Sequence, residues 1–168
     1  MKKNHSCTCI KIRPCKSYDL PHMMELISQI NSQEDLSTIA EEQFRLELNH
    51  AKTDQCRFVA TLESEIVGTM GCSAGPLPSP YAIWADWLVV DKAYQRLGIA
   101  SLLFAEIERF AITNKKYFIC LDIGNIDHER AAFIFHRNNG FQIVGQIPDY
   151  WGPHEHLNIM VKHLSQQA

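Results

Sequence analysis

At 168 residues the chain is long enough for one domain with a sizeable core and short for two. Its 46% hydrophobic and 21% charged residues exclude an intrinsically disordered chain, and a net charge of −3 argues against nucleic acid as the main partner. No apolar run reaches the ~20 residues of a membrane span and the N-terminus lacks a signal-peptide core, so a cytoplasmic protein without membrane contact is expected.

In chain order, the run from Thr8 to Pro14 alternates loosely and suits a first strand, with residues 1–8 read as a disordered or frayed end. Asp19 can cap a helix that carries Pro21 in its first turn, where proline costs least. Asn31 to Ser37 is a polar connection, and Thr38 with Glu41 forms a capping box for a second helix. Arg57 to Leu62 and Ile66 to Ala74 read as two strands joined by a tight turn at Glu63–Glu65. Gly68, Gly71 and Gly75, in and just after the second of these, suggest a bulge or a close backbone approach. A proline-rich loop leads to a strand from Tyr81 to Val90, then a short loop and a helix to Asn114 whose predicted apolar face is Ile99, Leu102, Leu103, Ile107, Phe110 and Ala111. Tyr117 to Ile123 is a strand, Glu129 to Asn138 a helix stopped by Asn138-Asn139-Gly140, and Phe141 to Ile147 a strand. A stiff aromatic connection, Pro148 to His156, precedes the last strand, Leu157 to Lys162. The order β-α-α-β-β-β-α-β-α-β-β mixes hairpins with βαβ units, so the fold class is α/β with a mixed sheet.

The six cysteines form no CxxC pair, and the run from His5 to Cys9 matches no common zinc spacing. His154 and His156 are spaced like ligands on a strand but lack an evident third partner, so no metal is expected.

The stretch from Leu88 to Leu103 carries the most chemistry. A buried strand, a polar loop with small residues and the start of a helix make an anion site, since up to four amides there lack helical partners and the helix dipole adds to them. Lys92 and Arg96 place positive charge at the rim. Neither a GxxxxGK[ST] loop nor a GxGxxG follows the strand, which disfavours nucleoside triphosphates and dinucleotides.

The hexapeptide Gln95-Arg96-Leu97-Gly98-Ile99-Ala100 resembles the Q/R-x-x-G-x-G/A signature of the GNAT superfamily of N-acetyltransferases, and Phe135-His136-Arg137-Asn138-Asn139-Gly140-Phe141 resembles that family's F-Y-x-x-x-G-F. The resemblance covers nearly the whole chain, weakest over the first helices, and implies a single GNAT-like domain over residues 1–168. It implies acetyl-CoA as co-substrate, held by backbone groups of Leu88, Val89 and Val90 along its pantetheine arm. Gln95, Arg96, Leu97, Gly98, Ile99, Ala100 and Ser101 would take the diphosphate, mostly through amides, so alanine at Leu97 or Ile99 should mainly disturb packing. The activity implied is direct acetyl transfer to a primary amine of a small molecule or peptide. The alternative is a GNAT-fold acyl-CoA-binding regulatory domain with little or no turnover. Family members are often dimers, which leaves a homodimer open.

The catalytic groups are less fixed. Asp86 stands in an otherwise apolar strand, where a carboxylate is costly unless paired or functional. Desolvation would lift it toward a useful base, while the plainer reading is a structural carboxylate. The family's usual tyrosine acid is replaced by His136, which donates well only as imidazolium. His136 as acid, Tyr150 as hydroxyl donor, or departure of the thiolate unaided all stay open, as does His136 as filler. Tyr81, Trp84 and Trp151 are candidates to line the acceptor pocket. No cysteine has an evident His or acid partner, which disfavours an acetyl-enzyme.

Overall fold

A computed structural model describes residues 9–30, 36–50 and 52–165. The readings of residues 1–8 and of the connection at 31–35 fall outside these. Seven strands and four α-helices occur among the described residues: β1 (Lys11–Pro14), α1 (Leu20–Ile27), α2 (Leu36–Asn49), β2 (Cys56–Leu62), β3 (Glu65–Ser73), β4 (Ala82–Val90), α3 (Ile99–Thr113), β5 (Phe118–Ile123), α4 (Arg130–Asn138), β6 (Gln142–Gly152) and β7 (Glu155–His163). The strand order is β1-β2-β3-β4-β5-β7-β6. β4 and β5 are parallel, while β1–β2, β5–β7 and β6–β7 are antiparallel, so the sheet is mixed as expected. No described helix is long and apolar enough to cross a membrane. The chain divides into two compact units, residues 1–71 with 87–107 and residues 72–86 with 108–168.

In the first unit, Leu20, Met23, Leu26 and Ile27 of α1 and Ala40 and Phe44 of α2 pack with Val59 and Val89 into one apolar cluster. Burying each such side chain contributes roughly 1.5–3 kcal/mol. The Trp87 indole stands edge-on to Phe44 at 5.9 Å and donates to Gln43 Oε1 at 2.9 Å. Arg57 is buried over the Phe44 ring, 3.9 Å from its centroid, with its Nε and Nη2 donating to Glu47 at 2.7 and 3.0 Å. Gly71 makes this possible: a Cβ there would lie 2.5 Å from the Arg57 guanidinium carbon. Gly68 likewise sits where a Cβ would press on the Val89 carbonyl at 3.1 Å, so the close approach expected at these two glycines is present. Glu63 and Ser64 adopt φ of 50° and 77°, the left-handed pair of a two-residue hairpin turn.

Asp19 departs from the expected helix cap. Its side chain makes no cap bond to α1; it accepts from both Arg13 terminal nitrogens at 2.7 and 2.8 Å and from the Lys16 amide at 2.8 Å. Burial alone would raise its carboxyl, but these donors outweigh that and hold it below the ordinary range. Leu36 and Ser37 are already helical, so Thr38 lies inside α2 and not at its cap.

In the second unit, β5 pairs with β7 from Phe118↔His163 through Ile123↔Asn158. Asn158, 1% exposed, accepts from Gln146 and donates to the Gly124 carbonyl, so a buried amide ties β6 and β7 to the turn after β5 with its bonds made. α4 stops as the sequence signals. Gly140 takes φ 89°, its amide donates to Arg137, and the Phe141 amide donates to His136. The aromatic connection expected at Pro148–His156 is instead the end of a hairpin: β6 runs to Gly152, which pairs with Glu155 beyond an irregularity after Ile147. Left-handed residues at Asp149 and His154 and a Gly152 at φ 147° let the chain turn there while still pairing.

Candidate active site

The first unit contains the corner at which the sequence places an anion site. β4 leaves regular strand geometry at Trp87, whose φ of 48° is left-handed. Val89 is buried in the core, so its side chain faces away from any ligand and only its backbone is available, while Leu88 and Val90 are half-buried. Asp91 then shapes the loop. Its amide donates to the Val67 carbonyl at 3.0 Å, and its carboxylate accepts from the Ala93 amide at 2.8 Å and from Gln29 Nε2 at 2.7 Å. Gln29 Oε1 in turn accepts from the Lys92 amide at 3.0 Å. Gln95 bonds back to the Val90 carbonyl at 3.2 Å, and the Tyr94 hydroxyl donates to Glu65 at 3.0 Å. The loop is therefore pinned from several sides.

Arg96 and Gly98 both take left-handed φ, 65° and 81°. The Leu102 amide donates to the Gly98 carbonyl at 3.1 Å, which starts the α3 ladder, so the amides of Ile99, Ala100 and Ser101 precede the first helical bond. A Cβ on Gly98 would meet nothing within 4 Å: the corner is open space. Arg96 and Lys92 are exposed at its rim. Leu97 is 57% exposed, so the expectation that its truncation would disturb packing does not hold; Ile99, at 1%, is a packing residue. On the helix, the predicted Ile99, Leu103, Ile107 and Ala111 are buried, but Leu102 is 44% exposed and Phe104 takes its place at the edge of the apolar face.

The second unit holds the remaining candidates. Trp84 lies against Gly75, where a Cβ would strike the indole, and that glycine has φ 73°. Tyr81 is exposed and meets Tyr117 edge-on at 5.5 Å. Tyr150 and Trp151 form an edge-on pair at 4.7 Å near the end of β6, both more than half exposed. Below them, Asp149 accepts from the His154 amide at 2.7 Å and its own amide donates to His156 Nδ1 at 3.1 Å, which occupies one nitrogen of the suspected ligand pair. Among the described residues no three His, Cys, Asp or Glu side chains converge as a metal site would need.

His136 is 6% exposed and lies between the rings of Phe135 and Phe141 at 5.3 and 5.4 Å. Its Nδ1 is buried without a hydrogen-bond partner among the described residues. Burial pushes its pKa down to about 4, so it is neutral near pH 7. Asp86 is half-buried on β4. One acidic residue was overlooked in the sequence: Asp122, exposed on β5, whose carboxyl is raised by partial desolvation and, further, by the charge of Asp86. It carries the same signal as Asp86, a carboxylate inside an apolar run, Phe118 to Ile123.

With this geometry in place, comparison with known proteins fixes the class. Residues 53–143, more than half of the chain, match the acetyltransferase (GNAT) domain, and the chain belongs to that family. Similar solved structures include a GNAT-family protein from Desulfovibrio desulfuricans (14% identity, 94% of this chain and 100% of that one, TM-score 0.83). An aminoglycoside 6'-N-acetyltransferase complexed with coenzyme A has 15% identity over 94% of this chain and 99% of its own, with a TM-score of 0.74. The ribosomal-protein-S18-alanine N-acetyltransferase from Escherichia coli has 15% identity over 95% and 97%, also at 0.74. At these identities the likeness establishes the fold. A search of curated proteins finds no match.

Proposed function

We propose that this GNAT-family chain is an N-acetyltransferase that uses acetyl-CoA and transfers the acetyl group directly to a primary amine. The observation that carries the reading is the opening of α3. A left-handed Gly98 with open space around it, followed by three amides ahead of the first helical bond, fits a diphosphate, whose oxygens accept from such amides and are favoured by the helix dipole. Arg96 and Lys92 add charge-assisted contacts at the rim. The backbone of Leu88 and Val90 would pair with the pantetheine arm as a neighbouring strand does. The co-substrate supplies the activated acyl group as a thioester.

Asp86 is assigned as the group that takes a proton from the acceptor amine. His136 in its neutral form is a weak acid, and its place between two phenyl rings suits it to shaping the site. That leaves Tyr150, exposed on β6, as the hydroxyl assigned to the departing thiolate. Direct transfer is supported by the thiols. Burial drives Cys15 up to about 11 and raises Cys120, so neither is a thiolate near pH 7. Tyr81, Trp84 and Trp151 are assigned to the acceptor's walls.

The test is release of free thiol from acetyl-CoA across polyamines, aminoglycosides, amino acids and N-terminal peptides. Amine-dependent release with an acetylated product supports the enzyme. Thermal stabilisation by acetyl-CoA with no release across the panel would instead support an acyl-CoA-binding regulatory domain.

A further inference from the structure

We propose that Gln29 is a positioning residue for the coenzyme: its carboxamide clamps the loop between β4 and α3 in the shape that leaves the amides opening α3 to the diphosphate. This rests on the acetyl-CoA reading above. Gln29 stands half-buried two residues past the end of α1, and its own amide donates to the Leu26 carbonyl at 3.1 Å. α1 is seated by Leu20, Met23, Leu26 and Ile27 in the same cluster as Val89 of β4, so Gln29 reaches the loop from a fixed base. Its Nε2 donates to Asp91 Oδ2 at 2.7 Å, and its Oε1 accepts from the Lys92 amide at 3.0 Å. One planar group thus grips a side chain and the neighbouring main chain at once, through the donor and acceptor that a carboxamide presents side by side.

The backbone donors of the loop show what the clamp does. The Asp91 amide goes to the Val67 carbonyl, that of Lys92 to Gln29, that of Ala93 to the Asp91 carboxylate and that of Tyr94 to the Asp91 carbonyl. Four consecutive donors are thereby engaged within the first unit, three of them through Asp91 or Gln29. The amides of Ile99, Ala100 and Ser101 remain ahead of the first helical bond. Both Asp91 oxygens carry a donor, Ala93 on one and Gln29 on the other, which fixes the carboxylate's place. Without Gln29 the Lys92 amide and one of these oxygens lose their partners, and the loop has to reorder before it can close on an anion. A loop that is ordered only on binding takes its ordering entropy out of the affinity. The loss should fall on the diphosphate and spare the pantetheine arm, which the reading above places along Leu88 and Val90.

Reversing the polarity of the clamp tests it. Gln29→Met removes both bonds at similar volume, and Gln29→Glu sets two carboxylates against each other. When Gln29→Glu is combined with Asp91→Asn, every bond can re-form. The introduced asparagine donates to the introduced glutamate, which still accepts from the Lys92 amide, and the asparagine oxygen accepts from Ala93. In calorimetric titrations both single Gln29 variants should bind coenzyme A ~10-fold more weakly with pantetheine within ~2-fold, and the double variant should return to within ~3-fold of the parent. Amide hydrogen exchange in the ligand-free protein reads the clamp itself: Lys92 and Ala93 should exchange faster in the single variants and slowly again in the double. Equal losses for coenzyme A and pantetheine, or a double variant no better than Gln29→Glu, would make Gln29 a packing residue and overturn the proposal. A parent chain that binds no coenzyme A would overturn the acetyl-CoA reading and the positioning role with it, while the exchange rates would still judge the clamp.

Discussion

Gly98 concentrates the argument at the residue scale. Its φ of 81° costs an L-residue about 1–2 kcal/mol, while the space around it would admit a methyl group. Gly98→Ala should therefore fold, with a Tm lower by only a few degrees, yet lose most of its thermal stabilisation by CoA as the amides shift. Thermal denaturation with and without CoA checks both halves. His136 gives a second prediction, through linkage. Its folded pKa of about 4 lies below the unfolded value of about 6.5, so the unfolded chain binds more protons between them. The stability from keeping His136 neutral is complete above pH 6.5 and is lost as pH falls toward 4, by about 2 kcal/mol from pH 7 to pH 5. Urea denaturation at these two values should show that loss in the parent chain and a smaller one in His136→Phe.

Among elements, β3 is shaped by what lies against it. Gly71 leaves room for the Arg57 guanidinium, itself locked by Glu47 and the Phe44 ring. In Gly71→Ala the methyl group has to displace a buried, paired cation, and the expected cost is about 3 kcal/mol, or roughly 6–12 °C in Tm. A change under 2 °C would mean that the arginine moves aside freely. The β6–β7 hairpin shows the opposite side of local reading. Pro148, Asp149, Gly152 and Pro153 look like a loop because each disfavours regular strand geometry, yet pairing resumes at Gly152↔Glu155 once left-handed residues absorb the turn. Periodicity cannot register a ladder that breaks and resumes.

Across the whole molecule, the order of elements was legible because each carried its own signal: helical spacing in α3, a Gly-terminated stop in α4, apolar runs in β4 and β5. The strand, turn and helix start around Gly98 were legible for the same reason, since all three are local in sequence. The carboxylates were only half legible. Asp86 stood out against its apolar neighbours, but Asp122 was missed although it too is a carboxylate inside an apolar run, Phe118 to Ile123. Asp19 and Leu97 were misread because a tertiary partner in one case, and open solvent in the other, decided what each side chain does.

Calorimetric titration with coenzyme A and with pantetheine, which shares the arm but has no diphosphate, tests the central claim most directly. If the amides opening α3 grip the diphosphate, coenzyme A should bind at least ~100-fold more tightly than pantetheine, and Gly98→Ala should erase most of that difference. Equal affinity for the two compounds would contradict the account.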